Sequence, residues 1–250
     1  MTPLTTETPI APNEQSLFLP RSYESQPVNV TLDANRDDDG YWNDWRIGQS
    51  AKYQSHVYRW AGRLVARTGY RRILDVGCGV GTKLEQHIAP TGATIVGIDQ
   101  PSAVANCVRL GRTGTFLEVD LENPDFDTIE PFDLIIFADV VEHLIDPTPA
   151  MAMIRRVLAS DGLALISTPE RSRRRGRTCR KSEKPEHVRE WAQGEFLRFV
   201  RSCGFCVHAS RLFPQDDTPM LKGIWRELGY QARLLPRSPF ACHTVLCGKG

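Results

Sequence analysis

The residues with chemical potential fall into a few short runs. The first is Asp75-Val76-Gly77-Cys78-Gly79-Val80-Gly81. Glycine has no Cβ, so such a loop lets a ligand approach the backbone closely. A pyrophosphate-binding loop spaces its glycines Gly-x-Gly-x-x-Gly. Here Gly77, Gly79 and Gly81 alternate, a spacing that suits a ligand without pyrophosphate. Asp99 lies twenty residues past Gly79, where a carboxylate can accept hydrogen bonds from both hydroxyls of a ribose. Asp120-Leu121 repeats the pattern further on. Taken singly, each aspartate also reads as a helix cap or turn residue. A second run, Asp139-Val140-Val141-Glu142-His143, puts three donors at i, i+3 and i+4. On a helix they share one face and could hold a divalent cation. His143 reads equally as a general base or substrate ligand, or as a hydrogen-bonded structural residue. His187 is a second candidate. The run 171–181 carries seven basic residues in eleven: either a solvated loop, or an anion site built on Arg173, Arg174 and Arg175.

Regular alternation positions these residues. Short apolar strands are expected at 71–77, 93–99, 115–120, 132–139 and 163–168, with helices at 81–89, 101–111 and 149–160, the last closed by Asp161-Gly162. That rhythm predicts an α/β fold with a doubly wound, Rossmann-like parallel sheet. Past Pro169 come a helix at 191–202 and strands at 205–212 and 241–248, making seven strands with the last antiparallel. Two insertions, about 169–190 and 213–240, interrupt this half, the second with a possible short helix at 220–229. Upstream, 50–67 reads as an amphipathic N-terminal helical extension. Trp42, Trp45, Tyr53, Tyr58 and Trp60 crowd around it, docking it on the sheet or lining a pocket. Residues 1–40, rich in Pro, Thr, Asn and Asp, read as a flexible or loosely packed arm preceding one domain at 41–250.

The 250 residues are 41% hydrophobic and 24% charged, with a net charge of +1. That is an ordinary globular balance, without the global basicity of a surface that tracks nucleic acid. No run is long and apolar enough for a membrane span, and the start lacks a signal-like pattern, so a cytoplasmic protein without membrane or nucleic-acid partners is expected. Cys203-Gly204-Phe205-Cys206 resembles a redox or zinc pair, but no further ligands complete it, and it reads as packing. The oligomeric state is not legible.

Residues ILDVGCGVGTKLE (73–85) are similar to motif I of class I S-adenosylmethionine-dependent methyltransferases, and PFDLIIFADVVEHLIDP (131–147) resembles motif IV of the subgroup containing the ubiquinone-biosynthesis O-methyltransferases. The resemblance implies an S-adenosylmethionine site: Asp75 orienting the cofactor's amino group, Gly77, Cys78, Gly79 and Gly81 around its amino-acid arm, Asp99 on the ribose, Asp120 on the adenine amine, Gln100 and Leu121 flanking the base, and Ala138 and Asp139 beside the methyl group. It also implies a histidine, here His187, facing the active site. Some relatives use a metal at Glu-x-x-Glu-His; here Asp139 replaces the first glutamate. The implied activity is O- or N-methylation of a small-molecule acceptor such as a specialised metabolite, quinone precursor or sugar, possibly anionic. Two other readings stand: an RNA methyltransferase using the basic run, and a non-catalytic partner subunit of the same fold.

Overall fold

Strand β1 (Arg72–Val76) and strand β4 (Phe132–Ala138) are almost wholly buried because both their faces are covered, as expected of the middle of a parallel sheet. The computed structural model describes residues 17–27 and 42–250. With β2 (Thr94–Asp99), β3 (Thr115–Glu118), β5 (Leu158–Pro169), β6 (Phe205–Phe213) and β7 (Cys242–Lys249), these strands form one sheet in the order β3-β2-β1-β4-β5-β7-β6. Strands β1 to β5 pair in parallel, and β7 runs antiparallel between β5 and β6. The strand order reverses direction about β1, so a crevice opens beyond the carboxyl ends of β1 and β4.

Helices cover both faces. Leu74, Ile135 and Phe137 pack with Met151, Ile154 and Phe199 on one side. On the other, Ile73, Leu134 and Ile136 meet Val57, Ala61 and Val65. The expected helix at 50–67 is α2 (Ser55–Thr68), which starts after the left-handed Gln54; a short helix not expected from the sequence, α1 (Asp44–Gln49), precedes it. Helices α3 (Thr82–His87), α4 (Pro101–Arg109) and α5 (Thr148–Val157) follow β1, β2 and β4.

The expected end of α5 at Asp161-Gly162 is corrected: the helix stops at Val157 and β5 begins at once. Gly162 lies within the strand, where a Cβ would come 2.9 Å from the Phe132 carbonyl oxygen. The glycine serves a close backbone approach beside the register shift between Phe132 and Leu134, not a helix cap.

The arm is corrected over 17–27. Leu17, Leu19 and Tyr23 are buried, and the Trp191 indole donates to the Leu17 carbonyl at 2.9 Å. The Tyr23 hydroxyl accepts from the Glu190 N–H at 2.8 Å. Gln26 donates to the carbonyls of Lys184 and His187. Residues 17–27 are thus a strap across the segment 180–191. The remainder of the expected arm lies outside the described residues. After β5 come α6 (Arg171–Arg175), α7 (Gln193–Ser202) and α8 (Met220–Gln231). Among the described residues no helix is long and apolar enough to cross a membrane.

Candidate active site

A cavity of about 760 Å³ opens at the carboxyl edge of β1 to β4. Its walls include Gly77, Gly79, Asp99, Gln100, Asp120, Leu121, Ala138 and Asp139, eight of the eleven positions expected to meet a cofactor. The loop after β1 owes its shape to glycine. Gly77 and Gly79 have φ of 74° and 56°, where a side chain is strained. A Cβ on Gly77 would sit 2.4 Å from the Val140 side chain, and one on Gly79 3.0 Å from the Trp42 ring.

Asp99 ties β2 to this loop: its carboxylate accepts from the Gly79 N–H at 2.7 Å and from the Gln100 N–H at 2.7 Å. Burial pushes its pKa up to about 6 even against those two donors. One lone pair on each oxygen remains for ligand hydroxyls. Asp120, at the end of β3, is exposed on the rim and accepts from the Glu122 N–H at 3.0 Å.

Three of the eleven positions lie outside the cavity wall. Asp75 is fully buried beneath the loop, outside the cavity wall. Its carboxylate accepts from the Tyr58 hydroxyl at 3.1 and 2.9 Å, and burial raises its pKa to about 7. Cys78 is buried as well. Gly81 also stands off the cavity wall, against Arg112 and Cys107.

The expected metal triad is reorganised. Asp139 takes φ of 53°, and only a single 3₁₀ turn, Val141–His143, follows. The i, i+3, i+4 face is lost, and Asp139 instead accepts from Gln54 Nε2 at 3.0 Å and Ser167 Oγ at 2.8 Å. His187 takes its place: donor atoms of Glu142, His143 and His187 lie within 4.8 Å of one another. Glu142 Oε1 is buried without a hydrogen-bond partner, while Oε2 accepts from Thr168. His143 Nδ1 lies 2.7 Å from the Glu186 carbonyl oxygen, and His187 Nδ1 lies 2.7 Å from Glu190 Oε1. Such acceptors place the proton on Nδ1 and the lone pair on Nε2. Burial drives the pKa of His143 down to about 3 and lowers that of His187, so both rings are neutral at pH 7. This donor set fits a divalent cation. Of the two, only His143 lines the cavity; His187 stands behind it, ring centroids 4.8 Å apart.

Three arginines of the basic run make ion pairs within the chain. Arg171 pairs with Glu195 at 2.8 Å, Arg173 with Glu227 at 2.8 Å, and Arg175 grips Glu190 with two bonds of 2.6 and 2.9 Å. None of Arg173, Arg174 or Arg175 lines the cavity. The cavity instead presents Lys83 and Lys184, together with Trp42, Trp45 and Tyr53 from the N-terminal extension. The crowded aromatics divide: those three line the pocket, whereas Tyr58 and Trp60 dock α2. Sequence reasoning passed over Lys83. Its signal was a cation two residues past the last loop glycine, on a first turn whose side chains tilt back toward the loop.

A glycine loop and two strand-end aspartates, around a cavity at the switch point of a doubly wound sheet, define the class I, S-adenosylmethionine-dependent methyltransferases. A family model described as a methyltransferase domain matches residues 50–231, and the chain belongs to that family. The ubiquinone biosynthesis O-methyltransferase of Ruegeria sp. (strain TM1040) is 33% identical over 105 residues, which cover 40% of this chain and 42% of that protein. Among solved structures, a TehB-like SAM-dependent methyltransferase from Corynebacterium glutamicum superposes with a TM-score of 0.54 at 22% identity, over 87% of this chain and 100% of that one. The Burkholderia thailandensis 1,6-didemethyltoxoflavin-N1-methyltransferase, with its acceptor and S-adenosylhomocysteine bound, gives 0.55 at 16% identity over 97% and 92%. At such identities these two likenesses show the fold.

Proposed function

We propose that this protein transfers the methyl group of S-adenosylmethionine to an oxygen of a small-molecule acceptor presented at His143. One observation carries the reading: a single cavity of about 760 Å³ runs from Gly77, Gly79 and Asp99 to the neutral ring of His143. Its volume falls in the range of roughly 300–1,000 Å³ typical of small-ligand sites, in keeping with a cofactor and a compact acceptor. The ubiquinone relative acts, by its name, on a small molecule. The rival reading as an RNA methyltransferase is less favoured, since three of the seven basic residues of the run, Arg171, Arg173 and Arg175, are engaged in ion pairs within the chain.

In the reaction the acceptor oxygen attacks the methyl carbon, the carbon–sulfur bond breaks, and S-adenosylhomocysteine leaves with the electron pair on sulfur. The protein's task is alignment and removal of the hydroxyl proton. Asp99 holds the ribose hydroxyls, while the loop glycines admit the amino-acid arm to the backbone. His143, its Nδ1 proton committed to the Glu186 carbonyl, offers Nε2 as acceptor to the substrate hydroxyl. In a second, mutually exclusive use of the same Nε2 lone pair, Glu142, His143 and His187 would hold a divalent cation, which when bound lowers the pKa of a ligated hydroxyl in place of the base. The Glu190 carboxylate and the Arg175 guanidinium keep His187 in the tautomer such a role requires.

Calorimetry with S-adenosylhomocysteine, paired with incubation of the protein, methyl-labelled cofactor and a panel of hydroxylated aromatics, tests the proposal. Binding by the native protein, weakened about 10- to 100-fold in Asp99→Ala through loss of charge-assisted hydrogen bonds, is expected. Unchanged binding in that variant would overturn the ribose assignment. Label transferred only to nitrogen acceptors or RNA would overturn the acceptor class.

A further inference from the structure

We propose that Lys83 receives the carboxylate of the cofactor's amino-acid arm, making the cavity selective for adenosyl ligands that carry that carboxylate. The inference rests on the cofactor reading above and deepens it.

Lys83 lies on the first turn of α3 and contributes to the cavity wall beside Gly77 and Gly79. Helical side chains lean toward the helix N-terminus, which directs this one back over the loop. Its Nζ donates to the Ser50 carbonyl at 3.3 Å, and the ammonium sits 5.2 Å from the centroid of the Tyr58 ring. Among the described residues no carboxylate lies within 4.0 Å of it. The nearby acids are engaged elsewhere: Asp75 by the Tyr58 hydroxyl, Asp99 by two backbone N–H groups, and Asp139 by Gln54 and Ser167. A recessed ammonium has three N–H donors, and only one has an acceptor in this structure. Burial pulls its pKa below the ordinary lysine value, against the field of Asp75 and Asp139.

The proposed cofactor supplies one carboxylate, on the arm that a glycine loop of this kind admits. Its arrival would turn an under-coordinated cation into a paired one, and charge-assisted bonds of this sort are the strong ones. Asp75, buried below, adds negative charge that keeps the ammonium protonated and in place.

The test compares S-adenosylhomocysteine with its decarboxylated analogue by calorimetry, in the full-length native protein and in Lys83→Met. The native protein should prefer the carboxylated ligand on the order of 10- to 100-fold. In Lys83→Met that preference should fall to within about threefold of unity, with affinity for the analogue nearly unchanged. Lys83→Arg, which keeps the charge, should retain part of the preference. If Lys83→Met melts below the assay temperature, Lys83→Gln provides the same comparison. A preference that persists without the ammonium, a parallel loss of both ligands, or no preference in the native protein overturns the assignment. Failure of the native protein to bind either ligand sinks the cofactor reading itself.

Discussion

Replacing Arg175 by Met separates a structural arginine from a ligand-binding one. The guanidinium is 4% exposed and its partner Glu190 0% exposed, joined by bonds of 2.6 and 2.9 Å. Removing the arginine leaves a buried carboxylate with only His187 and Ser182 to compensate. Breaking a buried pair in this way costs about 3–5 kcal/mol. The second partner, Glu183, is 62% exposed and adds little. For a chain of this size each kcal/mol lowers the melting temperature by about 2–4 °C, so a fall of roughly 6–20 °C is expected. Arg177→Ala, at an exposed position of the same run, should change stability by less than about 0.5 kcal/mol. Calorimetric melts and urea titrations of the two variants decide the matter, and Arg175→Met combined with Glu190→Met should recover part of the loss. A melting temperature within about 2 °C of the native value, together with weakened acceptor binding, would refute the reasoning and return the run to the ligand.

The same cluster sets a pH dependence. Burial raises the pKa of Glu190, but the bonds from His187 and Arg175 outweigh it and hold it well below 4.5, so its contribution is present above 4.5 and lost on acidification below that. His187, lowered from 6.5 by burial, acts in the same direction from pH 6.5 downward. Native protein minus Glu190→Gln, compared by urea unfolding at pH 7.5, 5.5 and 4, should show a stability gap that narrows with acid; a constant gap would contradict it. Cobalt titration followed by absorption spectroscopy should detect imidazole ligation in the native protein and a loss of affinity of about 10-fold or more in His187→Ala. Equal cobalt binding in both would remove His187 from the donor set.

The strands and loop glycines were legible because burial on two faces and the need for positive φ each leave a local mark in sequence. Asp99, Asp120 and Asp139 came with them, since strand ends at a switch point are where ligands meet the chain. The burial of Asp75 and its bond to Tyr58 were not legible, because motif spacing says nothing about how deeply a carboxylate sits beneath its loop. The pairing of the arginine run was hidden for another reason: its partners Glu190, Glu195 and Glu227 lie up to 54 residues away, and only folding brings them together. The helical spacing of Asp139, Glu142 and His143 failed at one backbone angle, the left-handed Asp139. Leu17 and Tyr23 had no period to betray them, being isolated apolar residues in polar surroundings.

The strap at 17–27 has a consequence for how the chain is made. Its bonds to Glu190 and Trp191 join residues 167 and 174 positions apart. On a ribosome, Tyr23 must wait until Glu190, whose N–H it accepts, has been synthesised. Contacts of such separation cost loop-closure entropy before they return any binding, so the strap closes late. The stretch it clasps, bearing Lys184, Glu186 and His187, is therefore finished after strands β1 to β5 and the glycine loop. The nucleoside half of the pocket is expected to be in place before the acceptor half, and a start site downstream of Tyr23 would leave Trp191 uncovered and that second half unclasped.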